Sequence, residues 1–168
     1  PFVAAPFGKD GLARGLIRTG GGRVPDAYFS PAELTGQVLM AADLLPAESA
    51  RLADKQPDDE QMLHLSGQMS PYRWGINGKP FGQNDPLILT SGSRARINMM
   101  NMTMMTHPMH IHGHTFALPT GLRKDTVLMP PMSGFAIEFD ADNPGDWMAH
   151  CHNIYHAEAG MMIALNYS

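Results

Sequence analysis

The sequence predicts an all-β protein, a sandwich or small barrel of seven or more short strands. Apolar and polar residues alternate over short stretches, as in Met62–Ser66 and Phe135–Asp140, which is the period of a half-buried strand. Turn residues punctuate these stretches: the 168 residues include 17 Gly and 14 Pro. Charged residues make up only 17%, which suits a compact, turn-rich domain.

Along the chain, residues 1–24 hold two short strand candidates, Pro1–Ala5 and Leu12–Arg18, with a turn over Gly8–Gly11 and a stop at Gly20–Gly22. So small a hairpin is not stable alone, so it is expected to be the end of a preceding domain. Residues 25–59 are the least patterned and read as an interdomain linker. Ser30 followed by Pro31 suggests a helix start with Ser30 as cap. From Glu60 to residue 168 the strand pattern returns, at Tyr72–Ile76 before an Asn77-Gly78 turn, at Pro86–Thr90, Arg94–Met100, Phe135–Asp140, Trp147–His152 and Met161–Asn166.

A formal net charge of −4 gives no basic surface for nucleic acid. No apolar run approaches the ~18 residues of a membrane span. The opening residues carry neither a basic nor an apolar leader segment, so any export signal is expected to lie outside this stretch. The single Cys151 excludes an internal disulfide.

All eight His except His64 fall in two clusters, His107-Pro108-Met109-His110-Ile111-His112-Gly113-His114 and His150-Cys151-His152 with His156 beyond. Residues two apart in a strand share a face. His110 and His112 can therefore aim at one place, His150 and His152 can do the same on their own strand, and Cys151 points to the opposite face from its neighbours. Cys151, His156 and Met161 follow a C-x4-H-x4-M spacing. One thiolate, imidazole and a thioether on a returning loop suit a blue-copper site, with His107 as the second imidazole. Pro108 is expected to kink the chain and free His107 from the direction of His110. The all-imidazole set His110, His112, His150 and His152 suits copper that binds dioxygen.

The stretches HPMHIHGHTF (107–116) and HCHNIYHAEAGMM (150–162) resemble the two C-terminal copper signatures of the multicopper oxidases, a family of laccases and bacterial copper-resistance oxidases. The likeness extends over 60–168 through Tyr72–Phe81, Arg123–Val127 and Phe139–Trp147, and more weakly over 1–24. It implies a cupredoxin-like Greek-key β-sandwich over 60–168, with residues 1–24 as the last strands of a middle cupredoxin domain. It further implies that His107, Cys151 and His156 hold a type 1 copper with Met161 axial. His110 would hold a type 2 copper, and His112, His150 and His152 a type 3 pair. Electrons from a phenolic or aromatic donor, or from Cu(I), would enter at type 1 and reach the trinuclear cluster through Cys151 and its neighbours, His150 and His152, reducing dioxygen to water.

The family's cluster takes four more His from an N-terminal domain, and His64 and His114 do not form the required pairs. A missing N-terminal cupredoxin domain or a second chain is therefore an expected partner, beside the small-molecule donor and dioxygen. The family also implies export, to the periplasm, cell surface or exterior. Two other functions are weighed, a stand-alone type 1 electron carrier and a copper-storage or binding module; a simple electron carrier has no use for the four-imidazole set. His114 reads as structural or as a neighbour of the ligands, and His64 as an ordinary strand residue. Asp125 reads as an ion-pair partner or turn cap, less readily as a residue orienting a ligand. Some family members place a carboxylate directly after the last His, where this chain has Ala157, with Glu158 next. The methionines at 99, 100, 102, 104, 105 and 109 read as core around the copper sites rather than as a thioether trap for Cu(I).

Overall fold

The structure, a computed structural model, describes residues 1–6 and 9–168. The chain divides into two compact units, Pro1–Met40 and Ala41–Ser168. In the first, β1 (Phe2–Ala4) pairs antiparallel with β2 (Ala13–Gly15). The turn expected over Gly8–Gly11 lies partly outside the described residues. The Phe2 ring lies over Gly15 so closely that a Cβ there would fall 2.1 Å from its Cζ. The expected helix start is a single 3-10 turn, Ala32–Thr35, capped by Pro31 without a side-chain bond; Ser30 is not the cap.

The second unit opens with 3-10 turns at Ala41–Asp43 and Glu48–Ala50. The strands that follow are β3 (Asp59–Met69), β4 (Tyr72–Ile76), β5 (Leu87–Leu89), β6 (Arg94–Asn101), β7 (His107–Ile111), β8 (Phe116–Ala117), β9 (Arg123–Lys124), β10 (Thr126–Met129), β11 (Gly134–Asp140), β12 (Trp147–Cys151) and β13 (Met162–Tyr167). One helix, α1 (Ile154–Glu158), joins the last two strands. Asn77 and Gly78 both have positive φ, 53° and 79°, as their hairpin turn requires.

The strands form two sheets. One has the order β10-β7-β12-β13-β5 and the other β4-β3-β6-β11-β8-β9. The pairs β3–β6 and β13–β5 are parallel and the others antiparallel. Inward residues of the two sheets share one core. Leu63, Leu65, Ile97, Ile137 and Phe139 come from one, and Met109, Ile111, Met129, Ala149, Cys151 and Ile163 from the other. This is the cupredoxin-like sandwich of the sequence reading. Among the described residues, no helix is long and apolar enough to cross a membrane.

Strand β7 runs unbroken through Pro108. His107 and His110 face opposite ways because they stand three positions apart, an odd offset on an alternating strand, and no kink is needed. Pro108 has no N–H to give, yet its carbonyl accepts from the His152 N–H at 2.6 Å.

The chain entering β3 is pinned by Arg94. Its guanidinium is buried and donates to the carbonyls of Ala53 (3.0 Å) and Lys55 (3.3 Å) and to Asp140 (2.9 Å), while its backbone N–H donates to Asp58. Asp140 is partly in water, so the ion pair contributes little and the carbonyl bonds dominate. Arg94→Leu is expected to cost about 2 kcal/mol, mostly from the lost charge-assisted bonds to the Ala53 and Lys55 carbonyls. The shift of the urea midpoint at unchanged slope measures it.

Candidate metal centre

Cys151 ends β12, and its neighbours in sequence face the other way. Its side chain is 1% exposed, inside the sandwich. Across β7, Cys151 pairs with Met109, and His150 with His110. Sγ of Cys151 lies 3.7 Å from Nδ1 of His107 and 3.9 Å from Nδ1 of His156, and the two Nδ1 atoms are 3.0 Å apart. A point equidistant from these three donors lies about 2.1 Å from each, the reach of metal–imidazole and metal–thiolate bonds, ~2.0–2.3 Å. The donor set therefore fits a soft transition-metal ion on an observation independent of any motif. His156 is carried by α1, whose N-cap Asn153 accepts from the Tyr155 N–H. Met161 is fully buried and tied to the same corner. Its N–H donates to the His156 carbonyl (2.9 Å), and its carbonyl accepts from the Cys151 N–H (3.1 Å).

Three residues that the sequence reading did not single out shape this site. Thr103 Oγ1 is 2.7 Å from Nε2 of His107 and 2.9 Å from Oδ1 of Asn101. Asn101 is fully buried, and its amide donates to the carbonyls of Met105, Met129 and Pro130. With Nδ1 of His107 turned to the sulfur, its Nε2–H donates to Thr103, whose hydroxyl donates on to Asn101. A ligand imidazole is commonly held in this way. Trp74 stacks on His156 at 4.1 Å between ring centroids and meets His107 edge-on at 5.2 Å. No local signal marks these partners. An Asn and a Thr within a Met-rich run, and a Trp 82 positions before His156, acquire meaning only from the fold.

On the opposite face of β7 and β12 the remaining imidazoles converge. Ring centroids of His110 lie 4.9, 5.6 and 5.0 Å from those of His112, His150 and His152. Nε2 of His112 is 2.9 Å from Nε2 of His150. His112 and His152 fall just beyond their strands, yet His152 still stacks on His150 at 5.3 Å. His110 donates from Nδ1 to the backbone carbonyl of Asp125 (2.8 Å), which leaves Nε2 toward the cluster. The link to Asp125 is thus through its backbone. His150 does the same with the Cys151 carbonyl at 3.1 Å. His114 turns away to Tyr167. His64 lies on the outer face of β3, its backbone bonded to Asn77.

The methionine run divides. Met99 and Met109 are buried and Met105 half-buried, but Met100, Met102 and Met104 are exposed. About half of the run is thus core, as alternation along a strand leads one to expect, and the segment after β6 lies on the surface.

Burial sets the proton affinities. It pushes the Cys151 thiol from 9.0 up to about 11, against a smaller pull from the Asn153 N–H. Burial and then His156 push His107 from 6.5 down to about 4. His112, His152 and His156 are lowered too, burial first. Between pH 4 and 6.5 the unfolded chain binds more protons than the folded one, so stability of the metal-free protein falls on acidification. Between pH 9 and 11 the unfolded thiol has ionised and the folded one has not, so stability falls as pH rises. Urea unfolding of metal-free protein is expected to show greatest stability between about pH 6.5 and 9.

A family model described as multicopper oxidase matches residues 54–168. Multicopper oxidase MmcO of Mycobacterium tuberculosis is 42% identical over 99% of this chain and 34% of its own length. Copper resistance protein A of Escherichia coli is 38% identical over 74% of this chain and 21% of its own. Among solved structures, a multicopper oxidase from Pediococcus acidilactici superposes with a TM-score of 0.62 at 25% identity, over 74% of this chain and 30% of that one. The chain thus spans about a third or less of these relatives. Matched over most of its length by the family model, and throughout by a relative at 42% identity, the chain belongs to the multicopper oxidase family, whose cofactor is copper.

Proposed function

We propose that this chain is the C-terminal part of an oxidase that takes electrons from a small donor and delivers them to dioxygen. His107, Cys151 and His156, together with Met161, are the residues that would hold a type 1 copper. His110 would hold a type 2 copper, and His112, His150 and His152 their share of a type 3 pair. Copper supplies one-electron redox chemistry at the first site and dioxygen reduction at the second. The chain's own part is to place the two sites back to back on one strand. The observation that carries this reading is the alternation at β12: the Cys151 sulfur faces His107 and His156, while His150 faces His110 and His112. The peptide links from Cys151 to His150 and His152 would give a covalent connection between the two sites.

The second site is open on one side, its imidazoles half-buried or exposed. An N-terminal cupredoxin domain of the same enzyme, or a second chain, would supply four further imidazoles there. Residues 1–24 would then be the last strands of a middle domain and 25–59 the connection. As in the family, such an enzyme would be exported, to the periplasm, cell surface or exterior.

The donor would approach His156. Met69, Tyr72, Met105, Tyr155 and Glu158 line an open depression beside it. Thioethers bind soft cations, and Met69 and Met105 line this depression, which favours Cu(I) over phenols. The test is copper content, colour and oxygen uptake of the whole oxidase with Cu(I) and with a phenol. Blue protein with oxygen uptake on both faces' copper is expected. Blue protein holding copper only at Cys151, without oxygen uptake, would favour the stand-alone electron carrier.

A further inference from the structure

The segment leaving β7 carries a histidine that faces away from both metal centres. His114 is 7% exposed. Its ring lies 4.7 Å from Phe139, 5.9 Å from Tyr167 and 6.3 Å from Trp147, between centroids. Nδ1 is 2.9 Å from the carbonyl oxygen of His112, and Nε2 is 2.5 Å from the Tyr167 hydroxyl. A carbonyl only accepts, so the Nδ1 proton must point at His112. A neutral imidazole then presents a lone pair at Nε2, and the Tyr167 hydroxyl donates to it. The two bonds form one directed chain, Tyr167 to His114 to the backbone of His112.

The rest of that turn is held as firmly. The His112 N–H donates to the Met148 carbonyl at 2.9 Å. The Gly113 carbonyl accepts from Asn143 Nδ2 at 2.9 Å, and Trp147 Nε1 donates to the Asn143 carbonyl at 2.8 Å. Gly113 itself has φ +72°, and a Cβ there would meet the Trp147 ring at 2.5 Å. His112 lies beyond the end of β7, where the ladder no longer fixes it. Its direction toward His150 therefore depends on these backbone bonds.

We infer that His114 and Tyr167 form a positioning pair that sets the direction of the His112 imidazole. The pair acts through the His112 carbonyl and touches no ligand ring, so it governs one side of the imidazole cluster without bearing on Cys151. This inference rests on the proposed role of His112 as a copper ligand.

The experiment uses the whole copper-loaded oxidase and the variants His114→Asn, His114→Gln and Tyr167→Phe. Asn places an N–H where Nδ1 was and keeps the bond to His112. Gln places its amide nearer Nε2 and loses that bond. A ring needed only to fill space would make the smaller Asn the worse replacement. The readouts are copper retained against a chelator and spin-counted EPR, since two Cu(II) ions held close enough to couple give no signal and displaced ions do. His114→Gln is expected to weaken retention at the imidazole cluster about 10- to 100-fold and to raise the spin count, with the blue absorption unchanged. His114→Asn is expected to stay near wild type, and Tyr167→Phe to follow Gln in direction. Gln equal to wild type, or Asn worse than Gln, would overturn the inference. If neither His114 variant folds, Tyr167→Phe decides: selective loss upholds the pair and wild-type behaviour overturns it. Wild-type protein without copper at the imidazole cluster would instead refute the ligand role of His112 itself.

Discussion

Cys151→Ser is expected to leave a folded protein that is colourless and oxidises donors only at the uncatalysed background. The sulfur sits in the core, where oxygen is smaller but can still accept from the Asn153 N–H that now lies 3.4 Å from it. The fold should therefore lose no more than about 1–2 kcal/mol. The metal site loses its only thiolate, and with it the soft ligand that suits both oxidation states of copper. The four imidazoles on the other face of β7 and β12 are untouched and should still bind copper. Absorption spectra, copper analysis and oxygen uptake check this together. Donor oxidation at the wild-type rate would refute the bridge through residue 151.

Asn101→Leu is expected to have the largest effect on stability of any single polar-to-apolar change near the site. Leu nearly matches Asn in shape, so little packing is lost. Its side chain can replace neither the two amide protons shared among the Met105, Met129 and Pro130 carbonyls nor the two bonds accepted from Thr103. Each orphaned buried group costs about 1–3 kcal/mol, and relaxation recovers part of that. A net loss of about 3 kcal/mol or more is expected by urea unfolding. Thr103 loses its orientation as well, so His107 loses the partner of its Nε2–H. Copper retention at the Cys151 site should fall about 10- to 100-fold. Thr103→Val separates the two effects: it should weaken copper retention with a smaller loss of stability.

The parts of this molecule legible in the sequence are those set by local period and ligand chemistry. Alternation in Phe135–Asp140 located β11, and Asn77-Gly78 located a turn that needs two positive φ values. The same two-residue period places Cys151 and His150 on opposite faces of β12. What was not legible depends on distant partners. Asn101 gathers carbonyls from 4, 28 and 29 residues away, and Trp74 finds His156 through the packing of β4 against α1. Helix α1 itself is five residues long, too short for a periodic signal. Alternation along a strand predicts that about half of the Met-rich run is buried, and β6 with the surface segment after it decides which members are.

The most direct measurement is anomalous diffraction at the copper edge from crystals of the copper-loaded protein. A peak enclosed by Sγ of Cys151 and the Nδ1 atoms of His107 and His156 is expected, with separate density among His110, His112, His150 and His152. Two metal centres on either side of a single strand are the claim on which the oxidase reading depends. Copper bound elsewhere, with none within bonding distance of the Cys151 sulfur, would contradict it.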